Sequence, residues 1–335
     1  MPALAPAAEQ SVSRARVTIP GNHLLPGLLG PADRHLRLLE AAFPQTDIHV
    51  RGNEVSLNGS EAGSVARVFE ELITLVQQGH PVDSRAIVHV IDLVAADESP
   101  SEVLSDEVLR HARGAAVRPR SRGQKTYVDA IRSATVTFAI GPAGTGKSWL
   151  AVASGIAALQ AQEVERIILT RPAVEAGERL GFLPGDVAAK VDPYLRPLYD
   201  ALYDMLDMNG VQRLLEQEVV EVAPLAFMRG RTLNRSFIIL DEAQNTTPEQ
   251  MKMFLTRIGF DSRAVVTGDV TQVDVPGGRC GLDGLETLLG GIEGVRFVHL
   301  SSRDVVRHPI VADIVNAYDK ASSEAGDEPP RGRPR

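Results

Sequence analysis

The sequence predicts an α/β fold, a parallel sheet covered by helices, preceded by a smaller α+β unit. Three observations carry this. From Ser133 onward six apolar runs, "ATVTFAI", "RIILT", "VVEVAP", "SFIILD", "RAVVTGD" and "RFVHLSS", alternate with helical patterns, the order that builds a parallel sheet with both faces covered. The first run breaks at Gly141 into "GPAGTGKS" and passes straight into an apolar helix pattern from Lys147 through Leu159. Ahead of Arg110 the strand and helix signals come in another order, which sets that stretch apart as its own unit.

In that first unit "RVTIP" reads as a short strand and "LLPGLLGPADRHLRLLEAAF" as one or two helices. "DIHVRG" and "EVSLNG" read as a hairpin, and "SEAGSVARVFEELITLVQQG" as an amphipathic helix with Asn58 or Ser60 at its N-cap. Val65, Val68, Phe69, Leu72 and Leu75 fall at helical spacing and predict its buried face. The order helix, helix, strand, strand, helix resembles a KH module, whose glycine-containing turn clamps a nucleic-acid backbone. Here the turn is "GPAD", Gly30 to Asp33, and Asp33 sets a carboxylate where that module has its second glycine. A small domain used only for packing or assembly is the other reading.

The segment "RHARGAAVRPRSRGQK" holds Arg110, Arg113, Arg118, Arg120, Arg122 and Lys125 with no acidic residue. Such a linker either neutralises phosphates or is simply solvated. The expected layout is a disordered tail over 1–15, the α+β unit over 16–109, a basic linker over 110–123, the larger α/β domain over 124–320 and a disordered tail over 321–335.

Composition narrows the classes. The 335 residues are 44% hydrophobic and 23% charged with a net charge of -8, ordinary for a globular protein and wrong for one that binds polyanions over its whole surface. With one cysteine, Cys280, the chain forms no internal disulfide and no cysteine-based metal site. The N-terminus lacks the basic start and apolar core of a signal peptide, and no run approaches the roughly 20 apolar residues of a membrane span. A cytoplasmic protein without membrane contact is expected.

The chemistry concentrates at strand ends. Gly141, Pro142, Ala143, Gly144, Thr145, Gly146, Lys147 and Ser148 fit G-x-x-x-x-G-K-[ST], in which backbone N–H groups of a glycine loop surround phosphates at a helix N-terminus. Lys147 is placed to reach the β and γ phosphates and the Ser148 hydroxyl to ligate Mg²⁺. At "FIILDEAQN" an apolar strand delivers Asp241, to hold Mg²⁺ through its water shell, and Glu242, to take a proton from attacking water. After "VVTGDVTQVD", Gln272 can donate to a γ-phosphate and accept from the water. ATP with Mg²⁺ is the expected ligand pair.

The segments "GQKTYVDAI", "GPAGTGKS", "LTRPAVEAGERLGFLPGD", "MRGRTLNRSFIILDEAQN", "TGDVTQVD" and "DVVRHPIV", in this order, resemble the PhoH-like family of cytoplasmic P-loop ATPases related to superfamily 1 helicases. The resemblance runs from Gly123 to Ala317 and is looser before it. It implies a RecA-like P-loop NTPase core that works on RNA, with Gln124 reading adenine and Arg171 and Arg179 on a nucleic-acid-contacting loop. It also implies that Arg307 is a finger completing an ATP site. A plain polar linker residue at 124 and a solvated arginine at 307 are the other readings.

Superfamily 1 helicases set ATP between two cores, and too few residues follow Val306 for a second one. The finger is therefore expected from a neighbouring subunit in a homo-oligomeric ring, hexameric by the resemblance. An endoribonuclease acting on ribosomal RNA is the protein partner the resemblance suggests. The competing function is a regulatory or assembly ATPase whose cycle changes a protein partner's binding. A small-molecule kinase fits less well, because the Asp-Glu pair and "GDVTQ" suit water activation.

Overall fold

A computed structural model describes residues 13–80, 82–111, 114, 116–172, 187–273 and 280–306, the side chains of 85 and 187–194 excepted. Arg113, Arg179, Arg307 and both expected tails, apart from Ser13 to Ala15, lie outside the described residues.

The N-terminal unit runs β1 (Ser13–Thr18), α1 (Leu25–Leu29), α2 (Arg34–Ala42), β2 (Thr46–Arg51), β3 (Glu54–Gly59) and α3 (Ala62–Gln77). Its three strands are antiparallel in the order β1-β3-β2. The expected element order therefore holds, with two boundary corrections. β1 starts at Ser13, because Ser13 to Ala15 pair with Gly59 to Leu57 instead of trailing as a tail. α3 is entered through Glu61, with no side-chain cap from Asn58 or Ser60; Thr46 Oγ1 instead accepts the Glu61 N–H at 3.3 Å.

α4 (Ser84–Ala95) and α5 (Pro100–Leu104) complete the unit. Ile87, Val90 and Val94 of α4 join Val65, Val68, Phe69 and Leu72 of α3 in one core. The turn between α1 and α2 does fall at Gly30 to Asp33, with Ala32 (φ 52°) and Asp33 (φ 56°) in left-handed conformation. That conformation is uncommon for side-chain-bearing residues.

The expected basic linker is not a free linker. β4 (Leu109–Arg110) pairs with β5 (Ala116–Val117), and α6 (Arg122–Ser133) begins under a Ser121 cap. Arg110 and Arg118 both bond to Glu107, and Lys125 to Asp106 and Asp129. The acidic partners lie outside the basic run in sequence and return to it in space.

The larger domain is one sheet of six parallel strands: β6 (Val136–Ile140), β7 (Arg166–Arg171), β8 (Val220–Pro224), β9 (Ser236–Leu240), β10 (Arg263–Gly268) and β11 (Val295–His299). Their order is β11-β6-β10-β9-β7-β8, and every predicted strand is present. α7 (Lys147–Gln160), α8 (Val187–Met205), α9 (Met208–Glu216), α10 (Pro248–Leu255) and α11 (Leu285–Leu289) connect them. One core joins α6, α7, α8 and α9 to the sheet through residues such as Tyr127, Leu150, Leu202 and Val211. The other packs Phe138, Ile238, Met251 and Phe254 together, and Phe138 stacks on Phe297 at 4.4 Å.

A P-loop nucleotide site

Four neighbouring strands, β6, β10, β9 and β7, end side by side and deliver the candidate residues to one place. Near-continuous apolar runs bury the strand bodies on both faces, so the functional polar residues emerge together at the carboxyl edge, where parallel sheets bind ligands.

The loop after β6 takes its shape from its glycines. Gly144 (φ 84°) and Gly146 (φ 78°) are left-handed, a conformation glycine adopts without strain. At Gly141 a Cβ would lie 2.4 Å from the Leu300 carbonyl oxygen, which is itself fixed by the Leu300 N–H donating to Ile140 O. Gly141→Ala is therefore expected to lower stability by about 1–3 kcal/mol through overpacking, read as a fall in the midpoint of urea unfolding. Gly146 at the N-cap of α7 gives no side-chain cap, which leaves the helix's first N–H groups to bind an anion.

A cavity of about 260 Å³ opens over this loop, lined among others by Lys147, Ser148, Trp149, Asp241, Glu242 and Gln272. Lys147 Nζ donates to the carbonyls of Gly141 (2.7 Å) and Pro142 (2.8 Å). Burial lowers its pKa, against the opposing charges of Asp269, Glu242 and Asp241. Ser148 Oγ and Thr267 Oγ1 donate to Asp241 Oδ1 at 2.5 and 2.6 Å. Hydroxyl and carboxylate oxygens are the donors a hard cation takes, so Ser148 and Asp241 would hold Mg²⁺.

Glu242, half-exposed at the mouth of β9, has φ 52° and is held by two donors. Arg171 Nη2 lies 3.2 Å from its Oε1, and the Gln244 amide donates to its Oε2. Gln244 is buried, and its Oε1 accepts the Asp269 N–H at 3.0 Å. Asp269 in turn accepts the Ala143 N–H (3.1 Å) and the Gln272 amide (2.9 Å). A continuous chain of contacts thus runs from β7 through the carboxylate to the phosphate loop.

Gln272 and Arg171 are gathered into this site, and Gln124 lies against the phosphate loop. Its Oε1 accepts the Arg120 N–H at 2.7 Å and its Nε2 donates to Thr145 O at 3.0 Å. Both amide groups are taken up inside the protein, so the residue ties the phosphate loop to the segment before α6. Asp304 does similar work, accepting from Ser121 Oγ (2.6 Å) and the Ser301 N–H (2.7 Å). Nothing in the local sequence pattern assigns a role to Gln244, Asp269 or Asp304. "DEAQN" and "TGDVTQ" contained the first two, but their bonds join residues about 25 apart in the chain.

Fold and site define a P-loop nucleotide hydrolase. The family model described as PhoH-like protein matches residues 116–319, and the chain belongs to that family. It is 54% identical over 310 residues to the PhoH-like protein of Mycobacterium tuberculosis, covering 91% of this chain and 87% of that one. The Bacillus subtilis PhoH-like protein is 47% identical over 298 residues, covering 88% and 93%. Protein PhoH of Escherichia coli matches a shorter stretch, 46% over 204 residues, 59% of this chain and 57% of its own. No helix among the described residues is long and apolar enough to cross a membrane.

Proposed function

We propose that the protein couples Mg²⁺-dependent ATP hydrolysis to the binding and remodelling of RNA. The observation that carries this reading is the ion pair between Glu242, the candidate base, and Arg171, the last residue of β7. Arg171 also opens the segment whose sequence resembles a nucleic-acid-contacting loop. An RNA phosphate drawing on the Arg171 guanidinium changes its hold on Glu242, so one side chain links strand binding to water activation.

In this reading the chain's own groups take the following roles. Loop N–H groups and Lys147 bind the phosphates, exchanging the Gly141 and Pro142 carbonyls for phosphate oxygens at Nζ. Ser148 and Asp241 would hold Mg²⁺, which when bound would supply charge neutralisation at the phosphate oxygens. Glu242 Oε takes the proton of the attacking water, and Gln272 orients that water beside the γ-phosphate. Arg307, in a ring of identical subunits, completes the site of a neighbour. A cytoplasmic setting and an endoribonuclease partner accord with this reading.

The test is steady-state ATP hydrolysis with and without single-stranded RNA across a salt series. RNA should raise kcat in the wild type, less so as salt rises, and Arg171→Ala should lose that response while still hydrolysing ATP. Hydrolysis indifferent to RNA at every salt concentration would instead favour the ATPase switch acting on a protein partner.

A further inference from the structure

We propose that the turn after β8 is a contact for single-stranded RNA, with Phe227 stacking on one base and Arg229 holding a neighbouring phosphate. This rests on the reading of the protein as an RNA-coupled ATPase. It adds to that reading a surface outside the nucleotide site.

The path of the chain sets the place of this turn. The strand order β9-β7-β8 makes the chain leave β8 at the carboxyl edge and cross β7 to reach the start of β9. Residues 225–235 make that crossing. Pro224, the last residue of β8, is in register with Arg171 of β7, so the turn begins beside the strand end that carries the Glu242 ion pair. Leu225 and Met228 are buried in the core with Phe138 and Ile238. Phe227, between them, is 56% exposed. Full burial of a phenylalanine side chain contributes about 1.5–3 kcal/mol, and the fold leaves much of that unused here.

The backbone that presents Phe227 is braced on both sides. Arg231 sets its fork on Glu221 at 2.6 and 2.7 Å, and Arg257 donates to the Arg231 carbonyl at 3.1 Å. Gly230 makes the bend at φ 79°, a conformation glycine adopts without strain. A ring held in place in this way loses little conformational freedom when a ligand stacks on it.

Charge selects the ligand. Residues 225–235 contain three arginines and no acidic residue. Glu221 neutralises Arg231 and Glu165 neutralises Arg235. Arg229 is exposed and makes no side-chain hydrogen bond or ion pair among the described residues. An aromatic face two residues from an uncompensated guanidinium offers what a single strand needs, a stacking platform and a phosphate donor. Bases in a duplex are already stacked, so the platform favours unpaired RNA. An apolar protein partner would need a wider patch. Among the described residues Tyr203, Met208, Phe260 and Leu288 are also exposed, but on other elements, and Phe227 has only small, polar and basic exposed neighbours on its own turn.

Crosslinking and affinity measurements on the full-length protein test the inference. Photocrosslinking the wild type to a single-stranded oligonucleotide carrying 5-bromouridine, followed by mass spectrometry, should mark the peptide that holds Phe227. In fluorescence anisotropy with labelled oligouridine, Phe227→Ala should weaken binding roughly 5- to 150-fold, the equivalent of about 1–3 kcal/mol for one stacked base. Phe227→Tyr should restore it. Arg229→Ala should lower the slope of log affinity against log salt by about one. A crosslink confined to other peptides, or Phe227→Ala binding oligouridine as the wild type does, would overturn this contact and leave the Arg171 link to its own test. Loss of self-association in Phe227→Ala by sedimentation velocity, with RNA affinity intact, would also overturn it and make the turn an interface between copies. Should Phe227→Ala fail to fold, the wild-type crosslink decides alone. Wild-type protein that binds no single-stranded RNA even at low salt would overturn both the contact and the RNA reading beneath it.

Discussion

Glu242→Gln is expected to stop turnover and leave ATP bound. The carboxylate stands at the end of β9 with a left-handed backbone, and Arg171 and the Gln244 amide each hold one of its oxygens. Such a conformation at a residue that is not glycine costs of order 1–3 kcal/mol and persists only where its surroundings enforce it. Here the enforcement is visible, since Gln244 is itself fixed by the Asp269 N–H. Glutamine keeps an oxygen that can accept from Arg171 or Gln244, but its amide has no basic site for a water proton. General-base assistance is worth typically about 10²–10⁴, so kcat should fall by that factor. The Kd for ATP should move by less than about tenfold, because Lys147 and the loop N–H groups are untouched. Single-turnover hydrolysis with equilibrium nucleotide binding separates the two quantities. Wild-type hydrolysis in the variant would remove Glu242 from the mechanism.

The parts of this site legible in the sequence are those that local pattern determines. An apolar run that ends in glycines and GKS, or in Asp-Glu, announces both the strand and what stands at its end. β6, β9 and the start of α7 at Lys147 are legible on that basis, and the other strands as apolar runs alternating with helical patterns. What escaped reading depends on residues far apart in the chain. The basic run from Arg110 to Lys125 looks uncompensated until Asp106, Glu107 and Asp129 fold against it. Ser121 and Asp304 are 183 residues apart and share a 2.6 Å bond. β4 and β5 have two residues each, too few to show an alternating pattern. The same limit applies to Gln124: a glutamine in that position signals a polar contact, but the sequence cannot say whether its partner is a base or the protein's own backbone.

Lys147→Met should abolish the response to ATP without weakening the fold. Wild-type protein at an ATP concentration of 100 times Kd gains about 2.7 kcal/mol of stability by mass action, seen as a rise in Tm. The variant should show no rise, because the cation facing the phosphates is gone. Its own Tm without nucleotide should equal or exceed that of the wild type. Burial lowers the Lys147 pKa, so the folded chain binds this proton less readily than the unfolded one and the charged form costs stability. That cost is fully present below the folded pKa and fades as pH rises through it towards the ordinary lysine value of about 10.4. The advantage of methionine should therefore be largest near neutral pH and narrow in alkali. An ATP-dependent rise in Tm in Lys147→Met would sink the phosphate-cradle assignment. A variant that loses both stability and binding would mean that the Gly141 and Pro142 carbonyls need the ammonium to hold the loop together. The expected split, binding lost and stability kept, fits a lysine retained for its ligand: the loop carbonyls hold the charge only until phosphate oxygens replace them.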